Sequence, residues 1–309
     1  MKVSVLVMTY NHEKFIEQAL ESVLMQKANF EYEIIISEDC STDNTRDIIF
    51  AYKKKYPGKI HLLLSERNLH NNRIVARGFE AAGGNYIALL DGDDYWSSDE
   101  KLKVQAEFLD SHPDCSMCFH NAKVIFENED RTSRNWTPSY QKEFSNLEDI
   151  WMGNSIATCS VMYRKKLVNK IPEWYVDMFP ITDWPLHILF AEQGLIGYIN
   201  KVMGVYRYHA GGMYSQYSET RKLEETLKFY HTMNKNLNYK YNAAVKKIIS
   251  KYFIEWAETY HSRGDFKNAR KCLNNSLSGR FISKYVSFIR LIKIIISLYL
   301  PFLNKIHPH

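Results

Sequence analysis

Short apolar runs alternate with segments of helical periodicity along the first two hundred residues. Val3 to Met8 is a β-branched-rich run that predicts a strand. Glu13 to Gln26 then repeats apolar residues at three- and four-residue spacing (Phe15, Ile16, Ala19, Leu20, Val23, Leu24), which predicts a helix. Glu33 to Ser37 predicts a second strand. The helix after it carries Ile48, Ile49 and Tyr52, with Ser41 or Thr42 placed to cap it. Ile60 to Leu64 predicts a third strand, and Ile74 to Ala82 a helix closed by Gly83-Gly84. Tyr86 to Leu90 is continuously apolar, as in a central strand covered on both faces. Alternation with short connections implies right-handed crossovers and an α/β fold, with a mostly parallel, Rossmann-like sheet and helices on both faces.

The pattern continues less regularly. Lys101 to Asp110 predicts a helix, Met117 to Glu127 a strand, and Asn128 to Tyr140 a polar excursion. Leu147 to Met152 reads as a short helix, Ala157 to Tyr163 as a strand, and Asp183 opens a helix running to Glu192. Gly197 to Tyr208 gives one or two strands. From Ser218 onward the periodicity is helical. Phe253 to Leu277 forms two helices about Arg263-Gly264-Asp265, similar to a single unit of the tetratricopeptide kind. Tyr285 to Leu303 is rich in Ile, Leu, Phe and Tyr but contains Arg290 and Lys293. Those cations make a membrane span costly and favour an amphipathic interfacial helix.

Composition adds two points. Hydrophobic residues make up 45% of the 309, which allows a sizeable core and excludes global disorder. Charge is unevenly placed: from Arg221 onward there are 17 Lys+Arg and 5 Asp+Glu, a net of +12, so the first 220 residues carry 23 and 30, a net of −7. An acidic body with a basic tail suggests peripheral contact of the tail with an anionic membrane surface. The five cysteines (Cys40, Cys115, Cys118, Cys159, Cys272) are odd in number and scattered, as expected in a reducing compartment. The apolar run at the N-terminus is too short for a signal peptide. The expected location is the cytoplasm, with the tail on the inner face of the membrane. No nucleic-acid partner is implied.

The candidate chemistry sits at predicted strand ends. No Gly-x-Gly-x-x-Gly follows the first strand, and there is no Gly-Lys-Ser/Thr loop, so dinucleotide and P-loop chemistry are disfavoured. Polar clusters follow the four strands instead: Thr9-Tyr10-Asn11, Glu38-Asp39, Arg67-Asn68 and Asp91-Gly92-Asp93-Asp94. In an open α/β sheet such ends converge on one ligand crevice. Three carboxylates within four residues repel one another unless they hold a cation, so the last cluster is a candidate divalent-metal site. The bland alternative is an acidic turn ahead of the Ser97-Ser98-Asp99-Glu100 helix start. Arg73 and Arg77 are candidate phosphate partners.

These motifs together resemble a family-2 glycosyltransferase with the nucleotide-sugar-binding GT-A fold. The resemblance rests on Val3 to Asn11, Glu38 to Asp43, Asn68 with Ala76-Arg77, Leu90 to Asp94, and Thr182-Asp183-Trp184. It implies a catalytic domain over 1–217, with a nucleotide-binding half (1–96) and an acceptor half (97–217), and a helical extension over 218–309. It implies that the acid cluster holds Mn²⁺ or Mg²⁺ on the donor diphosphate, with Asp93 as direct ligand. Asp91 would meet the ribose or a metal-bound water, and Asp94 would orient the turn or cap the next helix. Asp39 would contact the base, Thr9 and Tyr10 would wall the pocket, and Asn11, Glu13, Asn68, Gly92 and Arg207 would complete the donor side. Asp183 matches the family's catalytic base, and His209 a histidine of the metal or phosphate site. The chain departs from the family where Glu38-Asp39-Cys40 replaces two aspartates and a glycine, and where Leu69-His70-Asn71 follows Asn68 without the usual glycine.

The expected reaction is transfer of a sugar from a nucleotide sugar, most simply a uridine diphosphate sugar, to a hydroxyl of a glycan or lipid-linked saccharide in cell-surface polysaccharide synthesis. One general base and no enzyme nucleophile imply a single displacement with inversion. The segment from about Asn121 to Asp177 would select the acceptor. A sugar-phosphate nucleotidyltransferase shares the sheet and metal logic but wants a glycine- and basic-rich first loop. A non-catalytic nucleotide-sugar-binding protein would not need Asp39, Asp91, Asp93 and Asp183 together.

Overall fold

A computed structural model of the chain describes all residues except 128–129, 169, 213–215, 279–287 and 300–309. The chain separates into two compact units, Met1–Tyr217 and Ser218–His309. In the first unit the order is β1 (Val3–Thr9), α1 (Ile16–Leu24), β2 (Tyr32–Glu38), α2 (Thr45–Lys55), β3 (Ile60–Leu64), α3 (Arg73–Ala81), β4 (Tyr86–Asp91) and β5 (Tyr95–Trp96). There follow α4 (Lys101–Ser111), β6 (Cys115–Phe126), β7 (Arg134–Asn135), β8 (Phe144–Ser145), α5 (Leu147–Trp151), β9 (Val161–Arg164), α6 (Glu173–Val176), α7 (Asp183–Ala191) and β10 (Leu195–Tyr208).

The strands form one sheet in the order β3-β2-β1-β4-β9-β6-β10-β5, with β7 added beside β6 and β8 beside β10. Strands β3, β2, β1 and β4 are parallel, as are β6 and β10, whereas β9 runs antiparallel between β4 and β6. The chain moves outward from β1 to β3 and then returns to the other side of β1 as β4. The C-terminal ends of β1 and β4 therefore form a topological switch point, where α/β sheets open a ligand crevice. Register places Met8 beside Asp91 at that edge.

All seven residues of β1 and of β2 are buried, so these strands are covered on both faces. Val3, Val5 and Val7 pack with Ile16, Ala19 and Leu20 of α1 and Ile49 of α2. The alternate residue Leu6 meets α3, where a Cβ on Gly78 would lie 2.3 Å from Leu6 Cδ1, so a side chain there would force the buried Leu6 to shift. Each such buried Val, Leu or Ile contributes about 1.5–3 kcal/mol over leaving it exposed.

Several local expectations are corrected. Helix α1 starts at Ile16, not Glu13, because Glu13 turns its carboxylate to the backbone and side-chain N–H groups of Asn44, both at 3.0 Å. Ser41 and Thr42 do not cap α2, which begins after Asn44. Ser41 Oγ accepts from Asn11 N at 2.9 Å and Thr42 N donates to Asn11 Oδ1 at 2.8 Å, tying the loops after β1 and β2 together. The strand expected from Ala157 begins only at Val161, because Thr158–Ser160 forms one tight turn in which Ser160 N and Oγ both donate to Ala157 O. The polar excursion after β6 is pinned by β7, through Lys123–Asn135 and Val124–Arg134. Residues Leu195–Tyr208 form one strand with register shifts near Val202.

The second unit contains α8 (Glu219–Asn236), α9 (Asn242–Ser262), α10 (Phe266–Ser278) and α11 (Phe288–Tyr299). Gly264, at φ +77°, makes the left-handed turn between α9 and α10. Leu291, Ile294 and Leu298 of α11 are buried in a cluster with Ile254, Ala257, Ala269 and Leu273. One face of the segment expected at a membrane surface, Leu291, Ile294 and Leu298, is thus packed inside this unit, while Ile292 and Tyr299 stay exposed; residues 285–287 and 300–303 lie outside the described part. Among the described residues no helix is long and apolar enough to cross a membrane.

Candidate active site

The site is built on the turn that leaves β4. Gly92 N donates to Met8 O at 2.7 Å, which binds the turn to the end of β1. A Cβ on Gly92 would lie 2.8 Å from His12 Nδ1 and 2.9 Å from Thr9 Oγ1, so no side chain fits between Asp91 and Asp93. Asp93 Oδ2 lies 3.0 Å from His209 Nε2 and 3.6 Å from His12 Nε2. Asp94 is buried, and its Oδ1 accepts from the backbone N–H of Arg207 at 2.8 Å. Its role is thus to join the turn to β10, and α4 starts at Lys101 behind Glu100 without a side-chain cap.

The three carboxylates respond differently to one another. Burial, then the charges of Asp93 and Asp183, push the Asp91 carboxyl up to about 8. Burial, then Asp93 and Asp91, also raise Asp94 well above the usual range. Burial opposes ionisation of Asp93 as well, but His12 and His209 outweigh it and hold its carboxyl low. With all three ionised, the turn would hold more negative charge than its own surroundings balance, and its donor atoms are carboxylate oxygens. That is the donor set hard divalent cations prefer, so Mn²⁺ or Mg²⁺ fits. Among the described residues no three His, Cys, Asp or Glu side chains close around one point. Mg²⁺-type sites commonly take only one or two protein carboxylates and leave the rest to substrate phosphates and water.

Asp183 is the first residue of α7. Its Oδ1 accepts from Trp184 N at 2.7 Å, and its Oδ2 from Asn154 Nδ2 at 2.9 Å. Burial works against its charge, but His187, Asn154 and the Trp184 N–H prevail and lower its pKa. It remains 22% exposed, and its charge is felt at Asp91. The structure thus brings Asp91, Asp93, His209 and Asp183 into one neighbourhood.

The other expected donor-side residues are distributed as follows. Asp39 is buried beyond the end of β2; its Oδ1 accepts from Ser65 Oγ at 3.0 Å and from Leu69 N at 3.1 Å. Thr9 is buried beside His12, and Tyr10 is 38% exposed. Asn68 Oδ1 accepts from His70 N, closing its own turn. Arg77 spends its donors on Ser37 Oγ, Glu38 O and Leu63 O at 2.7–2.9 Å, bracing β2 against β3. Arg73 forms an exposed two-pronged pair with Glu173. The Arg207 guanidinium bonds Gln18 and lies 4.8 Å from the Phe15 ring and 4.9 Å from the Tyr95 ring. His12, Thr158 (whose side chain bonds the Asp91 carboxyl), Asn154 and His187 were not among the expected site residues. His12 was readable, since it lies three residues past a strand whose polar end was already a candidate. The others reach the site only through long-range packing.

The fold and the acid turn define a nucleotide-sugar-transferase architecture, and comparison with known proteins gives the family. Residues 4–170 match the model of Glycosyl transferase family 2, over half the chain, and the protein belongs to that family. The match ends before Asp183 and His209. An uncharacterized protein of Mycobacterium tuberculosis is 36% identical over 225 residues, 72% of this chain and 64% of its own length. The chain therefore spans somewhat under two-thirds of that relative. A putative teichuronic acid biosynthesis glycosyltransferase of Bacillus subtilis, TuaG, is 44% identical over 109 residues, 35% of this chain and 41% of its own. The structure of Staphylococcus aureus TarS 1–349 in complex with UDP shares the fold, with TM-score 0.57 and 21% identity over 93% of this chain and 95% of that one.

Proposed function

We propose that this protein is a metal-dependent, inverting glycosyltransferase that moves a sugar from a uridine-diphosphate donor to a hydroxyl of a glycan or lipid-linked saccharide in cell-surface polysaccharide synthesis. The observation that carries the reading is the acid turn Asp91–Asp94 at the sheet's switch point, with a separately ionised carboxylate, Asp183, in its neighbourhood. Family membership supports glycosyl transfer, the UDP bound to TarS supports the donor class, and the name of TuaG supports the polysaccharide setting.

In this reading Asp93, with Asp91 and His209, holds Mn²⁺ or Mg²⁺. The cation, when bound, stabilises the charge that develops on the departing nucleoside diphosphate. Asp39 and the Thr9–Tyr10 wall hold the nucleoside. Asp183 accepts the proton of the attacking hydroxyl as its oxygen bonds to the anomeric carbon from the face opposite the leaving group. Because no protein nucleophile takes part, the configuration inverts. The basic tail remains a candidate for an anionic surface. With the described stripe of α11 packed inward, that contact would rest on charge and weaken with salt. A screen of nucleotide sugars for nucleoside diphosphate release, with and without Mn²⁺, tests the reading. No release from any donor with candidate acceptors present would sink it.

A further inference from the structure

Asp183 has a buried neighbour on its own helix that the proposed reaction does not use. His187 lies one turn along α7 and is fully buried. Its Nδ1 is 2.7 Å from the hydroxyl of Tyr163, and its Nε2 is 3.7 Å from Asp183 Oδ2. Nε2 has no hydrogen-bond partner within normal reach, an unusual state for a buried polar atom. Tyr163 comes from β9, is itself fully buried, stacks against His187 and packs at a tilt against Phe190. Burial keeps its phenol protonated. Two helix positions and a neighbouring strand thus place carboxylate, imidazole and phenol in series.

The carboxylate decides the ring's polarity, since a phenol can either donate or accept. With its hydrogen on Nε2 the neutral imidazole aims a donor at Asp183 and leaves Nδ1 to accept from the Tyr163 hydroxyl. The other neutral tautomer would set a nitrogen lone pair against Asp183 Oδ2. A separation of 3.7 Å is long for a hydrogen bond, but catalytic contacts commonly tighten when substrate is bound. Asn154 and Trp184 N already hold one lone pair on each oxygen. A third donor on the buried side leaves the open side of the carboxylate to the acceptor hydroxyl.

We infer that His187, oriented by Tyr163, is a positioning residue that holds the Asp183 carboxylate ionised and aligned for proton abstraction. The inference rests on the reading of Asp183 as base. No proton moves through the imidazole: the hydroxyl proton goes to Asp183, the new oxygen–carbon bond forms, and the electrons of the broken bond leave with the nucleoside diphosphate. The ionisable groups facing Asp183 are Asp91 from β4, His187, and the phenols of Tyr163, Tyr175 and Tyr206.

The test is steady-state kinetics on the full chain with the donor and acceptor found in the screen. His187→Phe fills the space without a donor and should lower kcat about 10-fold or more, the kinetic weight of one hydrogen bond to a charged group, with donor KM within about twofold. His187→Gln returns an amide N–H near the position of Nε2 and should recover most of that loss. The acid limb of the kcat profile should move to higher pH in His187→Phe and not in His187→Gln. Should His187→Phe fail to fold, Tyr163→Phe removes only one oxygen; it should lower kcat by a smaller factor at unchanged donor KM. Equal losses in the Phe and Gln variants, or a loss expressed only in donor KM, would overturn the inference. Asp183→Asn separates the two levels. If it retains turnover, the base assignment fails and this inference with it; if it is inactive while His187→Phe is fully active, only the inference fails.

Discussion

The end of β4 and the start of α7 each present a carboxylate to the same neighbourhood, in opposite states. At β4, Asp91 sits among like charges and is driven toward its neutral form. At α7, Asp183 receives the Trp184 and Asn154 N–H groups and the proximity of His187, and stays ionised despite burial. The first arrangement leaves its like charges unbalanced, and the second supplies its carboxylate with donors from its own surroundings. Environments that push like groups apart in this way assign them different chemical roles.

The contrast can be broken from either side. The largest expected effect is from Asp183→Asn, which keeps the shape but removes the proposed base: kcat should fall about 10²–10⁴-fold with donor affinity near wild type, read by product formation and by calorimetry. Near-normal turnover would remove the distinction between the two carboxylates. Asp93→Ala should weaken Mn²⁺-dependent UDP binding about 100-fold, the loss of a direct ligand. Unchanged calorimetric titrations in Mn²⁺ would place the cation elsewhere. His12→Ala should weaken the same binding by a smaller factor, about 10-fold, because His12 lies farther from Asp93 Oδ2 than His209 does, at 3.6 Å against 3.0 Å.

A smaller effect tests the residues whose polar groups are spent inside the fold. Arg77→Leu leaves Glu38 O and Leu63 O without their guanidinium donor and should cost about 2–3 kcal/mol in denaturant unfolding, with donor affinity of the folded protein retained. A loss of donor affinity at unchanged stability would instead return Arg77 to the phosphates. The smallest change concerns two turns beside the site, where Cys40 and His70 hold left-handed backbone without a glycine, at φ +62° and +48°. Cys40→Gly should therefore leave stability within about 1 kcal/mol, whereas the β-branched Cys40→Val should lower it by about 1–2 kcal/mol. A Val variant as stable as wild type would show that the turn relaxes.

The sequence by itself determined the alternation of strands and helices, the parallel half of the sheet and the acid turn. These are legible because apolar period and punctuation are local, and a strand end announces itself by the abrupt change from Leu90 to Asp91. It also placed Asp183 at a helix start, since Thr182-Asp183 precedes an apolar helical run. Only the tertiary structure decided which polar groups were left for chemistry. Arg77 and Glu13 looked available and are spent on Ser37 and the backbone and on Asn44; His12, Thr158, Asn154 and His187 looked ordinary and reach Asp93, Asp91 and Asp183. That division cannot be read along the chain. A hydrogen bond such as Asn154 to Asp183 joins residues 29 positions apart, and its existence depends on how the sheet folds back on itself. The apolar stripe of α11 makes the same point: amphipathicity fixed that it needed cover, and packing in the second unit decided that α9 and α10 supply it.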